Sequence, residues 1–517
     1  MIRFAIVTVC LCLAGNLRAQ AEFYLENDNS SKAIELYDGT YLVNGSIDEV
    51  GLGGFISKVQ PNGEILWEIT FDYPPVIGQF SGSFTLSDSL GNIYMTGQTF
   101  SFDGWGSIYV LKFNPCGELE WIKIGDYPDY WDSVHGFQFA ENGDLLLACD
   151  QAHGVLDYNT GEGWPPGKLR MTRLSTDGDT IWYDKFYPRG CGACAIEELS
   201  ASKDNGALMT LDDYISFEGS GSYIRPVIVK YDEEGDVEWT NVFGIEEEFL
   251  GNAPVVVELE SGNLIAVFLQ RQLLEDSYYL KPYYYKLNPQ GEVLEHFILD
   301  IDTVLSYIGH NLALINDSTL ALTLNPFTAT SSGAENKHFQ LLTIDTTGQV
   351  LGTYTDPAHF FMCRGLSVTE NKEVLVALTE KIGNDKDILV KRINPQTMQL
   401  AEFPPNITDY DYLCPYPIES YDINLKTSSL SIQNGIAVQF GPNPANEGFY
   451  IRWRGNNLSG VLNFSLYDIN GTKLKEQSYK ANSPEQWINT TTLATGVYVW
   501  NLEYEGNTIA TRKIVKQ

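Results

Sequence analysis

One short pattern constrains this chain more than any other: a glycine, an acid, and a tryptophan four residues after the glycine. It reads Gly63-Glu-Ile-Leu-Trp67, Gly117-Glu-Leu-Glu-Trp121, Gly178-Asp-Thr-Ile-Trp182 and Gly235-Asp-Val-Glu-Trp239, with degenerate copies at Gly291-Glu-Val-Leu, Gly348-Gln-Val-Leu and Thr397-Met-Gln-Leu. Each copy follows a β-rich run: FISKV, IYVLKF, LRMTRL, VIVKY, YYYKL, FQLLTI or ILVKRI. A second turn recurs in step, at Asp38-Gly39, Leu90-Gly91, Asn142-Gly143, Asn205-Gly206, Ser261-Gly262, Asp317-Ser318 and Asn371-Lys372. Two hairpins per unit, spaced at about fifty to sixty residues, give four antiparallel strands per repeat. Period-2 segments dominate, and no sustained 3.6-residue amphipathic stretch appears. A four-stranded unit repeated in this way closes into a ring, because radial packing protects its strand edges.

The units run over 30–74, 79–131, 132–190, 191–247, 248–303, 306–357 and 359–403, which predicts a seven-bladed β-propeller. In that frame the glycine supplies positive φ in the turn between the third and fourth strands, and the acid keeps the tip wet. The tryptophan is expected between neighbouring blades, where a large rigid ring buries much area. A residue repeated in most units does not mark a single site. The repeat resembles the bacterial propeller repeats named SBBP, most clearly over 88–125, DSLGNIYMTGQTFSFDGWGSIYVLKFNPCGELEWIKIG. That resemblance implies a fold and almost no function.

After Phe403 the pattern stops in a Pro- and Tyr-rich connector, and then short alternating strands begin, with an Asn470-Gly471 turn. These predict a small immunoglobulin-like β-sandwich. The tail resembles the type A C-terminal sorting domain read by the type IX secretion system of a Gram-negative phylum. Pro442-Asn443-Pro444 matches its opening, and Leu466 to Gly471, with Asp468, its central hairpin. Leu493 to Tyr498, with Gly496, matches its L-x-x-G-x-Y strand, and Lys513 to Lys516 its basic end. The resemblance implies export by the type IX machinery, followed by release or attachment at the cell surface.

The start of the chain agrees with export. Arg3 precedes the apolar run from Phe4 to Gly15, and Ala19 offers a cleavage site, as in a secretory signal peptide. Neither Cys10 nor Cys12 follows the small residue that a lipoprotein signal needs. No later stretch is apolar for the ~18 residues of a membrane helix. The expected organisation is therefore all-β: signal peptide 1–19, propeller 20–403, linker 404–435 and sorting domain 436–517. Of the cysteines after the leader, Cys191 and Cys194 have C-x-x-C spacing. Without a thioredoxin-like βαβ context they read as a local disulfide or two buried thiols, and zinc would need further ligands.

A formal net charge of −34 disfavours nucleic acid and anionic bilayers, which need Lys/Arg stripes. No nucleophile elbow, HExxH helix or phosphate-cradling loop appears, and no cofactor or metal is implied. One constellation emerges when units are aligned on the second turn. His135, His310 and Arg364 stand at corresponding points near the start of the innermost strands, with Glu197 or Glu198 of the next unit beside His135. They would gather at one channel mouth, where such rings bind ligands, although polar channel mouths are also simply hydrated. With aromatic loops at Tyr127 to Trp131 and at Trp164, this favours binding of a glycan or protein partner. A secreted hydrolase or lyase and a purely structural adhesion module are the alternatives.

Overall fold

The protein is described here by a computed structural model covering residues 22–516, except for intervals of which 73–83, 154–167 and 408–420 are the longest. It divides into two units, Met1–Ile423 and Asn424–Gln517. All regular elements among the described residues are strands. No helix there is long and apolar enough to cross a membrane.

Among the described residues, the larger unit holds seven sheets of four or five strands each. Most are antiparallel meanders in chain order; the third, for example, is Tyr130–Phe139, Leu145–His153, Lys168–Leu174 and Thr180–Phe186. The first strands are Asn29–Glu35, Phe84–Ser87, Tyr130–Phe139, Ala193–Ala201, Gly251–Glu258, Ser306–Asn316 and Phe360–Val368. Each neighbours the first strand of the next sheet, and Phe360–Val368 neighbours Asn29–Glu35. The ring therefore closes as a β-propeller. Second strands are covered on both faces, so they read as unbroken apolar runs such as Leu264–Leu269. The cores lie between sheets: Leu146 and Met171 of the third pack with Met209 and Val229 of the fourth.

The opening pattern now has a mechanical explanation. Gly117 sits at φ 86°, and a Cβ there would lie 2.9 Å from the ring of Trp67, one sheet earlier. Both the left-handed backbone and the covering indole therefore demand glycine. Trp182 and Trp239 cover Gly235 and Gly291 in the same way, and Gly178 lies under the Lys123 side chain together with the Trp121 ring. The indole N–H groups of Trp121, Trp182 and Trp239 donate to carbonyls of those next turns, at Thr176 (3.3 Å), Glu233 (2.8 Å) and Pro289 (3.0 Å). At the first sheet the matching carbonyl, Pro115, accepts from Lys58 Nζ at 3.2 Å. Lys58 also pairs with buried Asp38 at 2.6 Å.

The seventh sheet corrects the unit boundaries read from the repeat. Residues after Asn394 supply only a two-residue strand, Gln399–Leu400. The outer edge is taken instead by Glu22–Glu26, antiparallel to Asp385–Asn394, with Phe23 opposite Val390. Phe23 then covers Gly63 as the tryptophans cover their glycines. The last copy carries no aromatic residue for that purpose, and Met398 takes the left-handed turn position at φ 53°. Lys391 ties the join by pairing with Asp356 and, at 3.1 Å, with Glu22.

The segment read as a linker also begins attached to the ring. Phe403 packs 5.1 Å from Phe23 and 5.1 Å from Tyr41, centroid to centroid. Ile407 exchanges two hydrogen bonds with Gln60, and Tyr421–Asn424 lies beside Ile65–Asp72 as a fifth strand. Among the described residues, the smaller unit has two four-stranded sheets around Phe449, Trp453, Phe464 and Trp500.

Candidate functional site

Apart from Phe84–Ser87, the first strands share one irregularity. Their ladders to the second strands skip a residue at Ser31, His135, Glu197 and Arg364, and skip two at Ala253 and Pro254. Such bulges re-aim a side chain and leave its backbone off the ladder. His135 and Arg364 occupy the same backbone setting as Glu197. His310 does not, because in its sheet the skipped residue is Gly309 and His310 stays in the ladder opposite Leu324. The side chains of His310 and Arg364 lie outside the described residues, as do the aromatic loop positions 127–129 and 164.

What the structure assembles is centred on the third and fourth sheets. Glu197 hydrogen-bonds Asp212 of the adjacent second strand, and His135 stands close enough to act on it electrostatically. Glu197 keeps access to solvent while protein encloses it on most sides, as on a channel wall. Burial raises its pKa, opposed by Asp212 and by the His135 charge. Burial pushes the Asp212 carboxyl up to about 9, and the Glu197 charge adds to that rise. His135 thus faces an acid, which offsets the local positive charge.

Next along the first strands is a second pair. Glu198 of the fourth sheet and Lys32 of the first are non-adjacent in the ring, yet each feels the other's charge. Burial pushes Glu198 up to about 8, against the pull of Lys32 and of the Val256 N–H, which donates to its Oε2 at 3.1 Å. Lys32 is lowered by the same desolvation. Among the described residues, no group of three or more His, Cys, Asp or Glu is placed to hold a metal ion.

Aligning the first strands in sequence offers His135 and Glu197 or Glu198 but not Asp212, which comes from a second strand. Its signal is the Asp212-Asp213 pair breaking an apolar run, ALMTLDDY. Cys191 and the Cys194 side chain lie outside the described residues. Cys116 is disulfide-bonded, whereas Cys149 and Cys363 are buried thiols.

In the smaller unit the sorting motifs meet on one sheet. Asp468 pairs with Tyr498, and Tyr498 with Ile514; Gly496 pairs with Lys516, and Val499 with Lys513. Asp468 Oδ1 accepts the Thr472 N–H at 2.8 Å across the turn where Gly471 sits at φ 83°. Tyr498 donates its hydroxyl to the Ala494 carbonyl at 2.7 Å. Pro442, Asn443 and Pro444 lie outside the described residues.

Residues 440–517 match the family described as Secretion system C-terminal sorting domain, that of type IX secretion. The chain is accordingly a secreted or cell-surface protein. No curated protein matches it. Among solved structures, a protein of unknown function from Dyadobacter fermentans DSM 18053 is 9% identical at a TM-score of 0.43, covering 60% of this chain and 94% of its own. The polysaccharide lyase Uly1 is 9% identical at 0.46, covering 71% and 90%. The alpha-L-arabinanase of Penicillium chrysogenum, complexed with arabinobiose, is 11% identical at 0.41, covering 74% and 100%.

Proposed function

We propose that this exported propeller binds a glycan at the channel wall where His135, Glu197 and Asp212 meet. The supporting observation is the hydrogen-bonded carboxyl pair beside an imidazole. Two carboxyl groups that share a proton, with a histidine alongside, offer both donors and acceptors, which suits the hydroxyl groups of a sugar. The acidic surface repels polyanions, and Glu197 offsets His135, so a neutral sugar fits better than a sulfated or uronic one. The sorting tail places such a site outside the cell, where polysaccharide is met.

The rival reading, a hydrolase or lyase, draws on the same raised carboxyl groups, since acid and base catalysts need pKa values near the working pH. Against hydrolysis by the Glu197–Asp212 pair stands its direct hydrogen bond, because glycosidase carboxyl groups stand about 5 Å or more apart. One experiment separates the readings. The full secreted chain is screened on a glycan array, and hits are titrated calorimetrically into wild type, Glu197→Gln and His135→Ala. Loss of binding by at least tenfold in both variants, without new reducing or unsaturated ends, supports the binder. Released ends support the enzyme, and equal binding in all three removes this site.

A further inference from the structure

Asp212 has a counterpart two sheets on. Asn325 follows Leu320 on its second strand by the same step that separates Asp212 from Ala207, and both stand beside the next sheet's first strand. Asn325 Oδ1 accepts the Cys363 N–H at 3.1 Å, and its Nδ2 donates to the Cys363 carbonyl at 3.4 Å. Asp212 Oδ1 accepts the Ala253 N–H at 3.0 Å in the same fashion. Both clamps grip the backbone next to a bulge, at Arg364 in one case and at Ala253 and Pro254 in the other. Where Asn325 has a second atom that donates, Asp212 has an oxygen turned to another carboxyl group, Glu197. Two carboxyl oxygens approach to hydrogen-bonding distance only with a proton between them.

We propose that Asp212 is a positioning residue, held as a neutral acid that clamps the fifth sheet like an amide and donates its proton to Glu197. The donated proton fixes one oxygen of Glu197 and leaves the other facing the channel as an acceptor next to His135. Burial and the neighbouring Glu197 charge both favour the neutral form. The groups facing the pair are His135 from the third sheet, Glu197 on the adjacent strand and the Ala253 N–H from the fifth sheet; Glu198 with Lys32 lies one residue further on, and Asp213 pairs with Arg225 at 2.9 Å. This inference deepens the glycan reading above and concerns the same site. A clamp that works as an acid gives aspartate a role at this position that asparagine, which would serve the backbone alone, does not fill.

The test uses the full chain without a ligand, so a failed glycan screen leaves it intact. The infrared difference spectrum of wild type minus Asp212→Asn at pH 7.5 should contain the C=O stretch of a protonated carboxyl group. A difference containing only carboxylate bands overturns the proposal. Thermal melts supply a second readout. Asp212→Asn keeps both the clamp and the donor, so it should melt no lower than wild type at pH 5. Its advantage should widen steadily toward pH 9, because throughout that window the unfolded wild-type acid is ionised while the folded one holds its proton. Asp212→Ala, which loses the clamp, should melt below both. A gap between Asp212→Asn and wild type that is flat or narrows with pH overturns the proposal, as does an Asp212→Asn chain that melts with Asp212→Ala.

Discussion

At the scale of single residues, covered glycines and buried acids set the vulnerable points. Gly117 and Gly143 both hold left-handed backbone, at φ 86° and 90°, but only Gly117 lies under an indole. Gly143→Ala should cost about 1–3 kcal/mol for strain alone. Gly117→Ala should cost clearly more, since a Cβ would press on Trp67, and the difference in denaturant midpoint at constant m measures that contact. Trp67 is 1% exposed, and Trp67→Ala should cost about 3–5 kcal/mol. Glu198 yields a pH prediction. Its folded pKa, about 8, lies above that of an unfolded glutamate, so its favourable contribution is full at acid pH and fades as pH rises toward 8. Glu198→Gln keeps an acceptor for the Val256 N–H and removes the titration. The melting temperature of the variant relative to wild type should therefore climb between pH 5 and pH 8, and a constant difference would contradict the assignment.

At the scale of strands, the weakest expectation and the firmest structural finding concern the same place. The last repeat has the spacing of a fourth strand but neither glycine nor tryptophan, and the N-terminal strand fills that edge instead. Phe23 is fully buried between Val390, Phe403 and the Gly63 turn. Phe23→Ala should cost about 3–5 kcal/mol by cavity formation. Deleting 22–26 opens an unpaired edge along Asp385–Asn394, and such an exposed edge invites aggregation. Light scattering on that deletion should show association that wild type does not, and a monomeric, fully stable deletion would remove the closure from its structural role.

At the scale of the whole molecule, the two units have separate cores, and the sorting motifs lie in the smaller one. Removing 440–517 should leave the larger unit folded and keep it inside the cell, as read by fractionation and by the melting temperature of the retained protein. Its appearance in the medium at wild-type level would contradict the sorting role. A shorter product ending at Glu402 should be less stable than one ending at Asn424, because Phe403, Ile407 and Tyr421–Asn424 are attached to the first sheet.

The sequence by itself determined the all-β class, the repeat, the route of export and the place of the four repeated indoles, because local turn chemistry and strand period repeat in each copy and carry their meaning within a few residues. Counting from a turn also put His135 on one first strand and Glu197 or Glu198 on the next, without deciding between the two acids. Tertiary structure alone decided three things. It paired Glu22–Glu26 with a strand more than three hundred residues away, a match that no local pattern encodes. It put the bulge of the sixth sheet at Gly309 and left His310 in the ladder, since a bulge is settled by how two strands register and not by either strand alone. It set Asp212 against Glu197 through the pairing of two strands of one sheet, and it brought Lys32 within reach of Glu198 because their sheets meet only when the ring has closed.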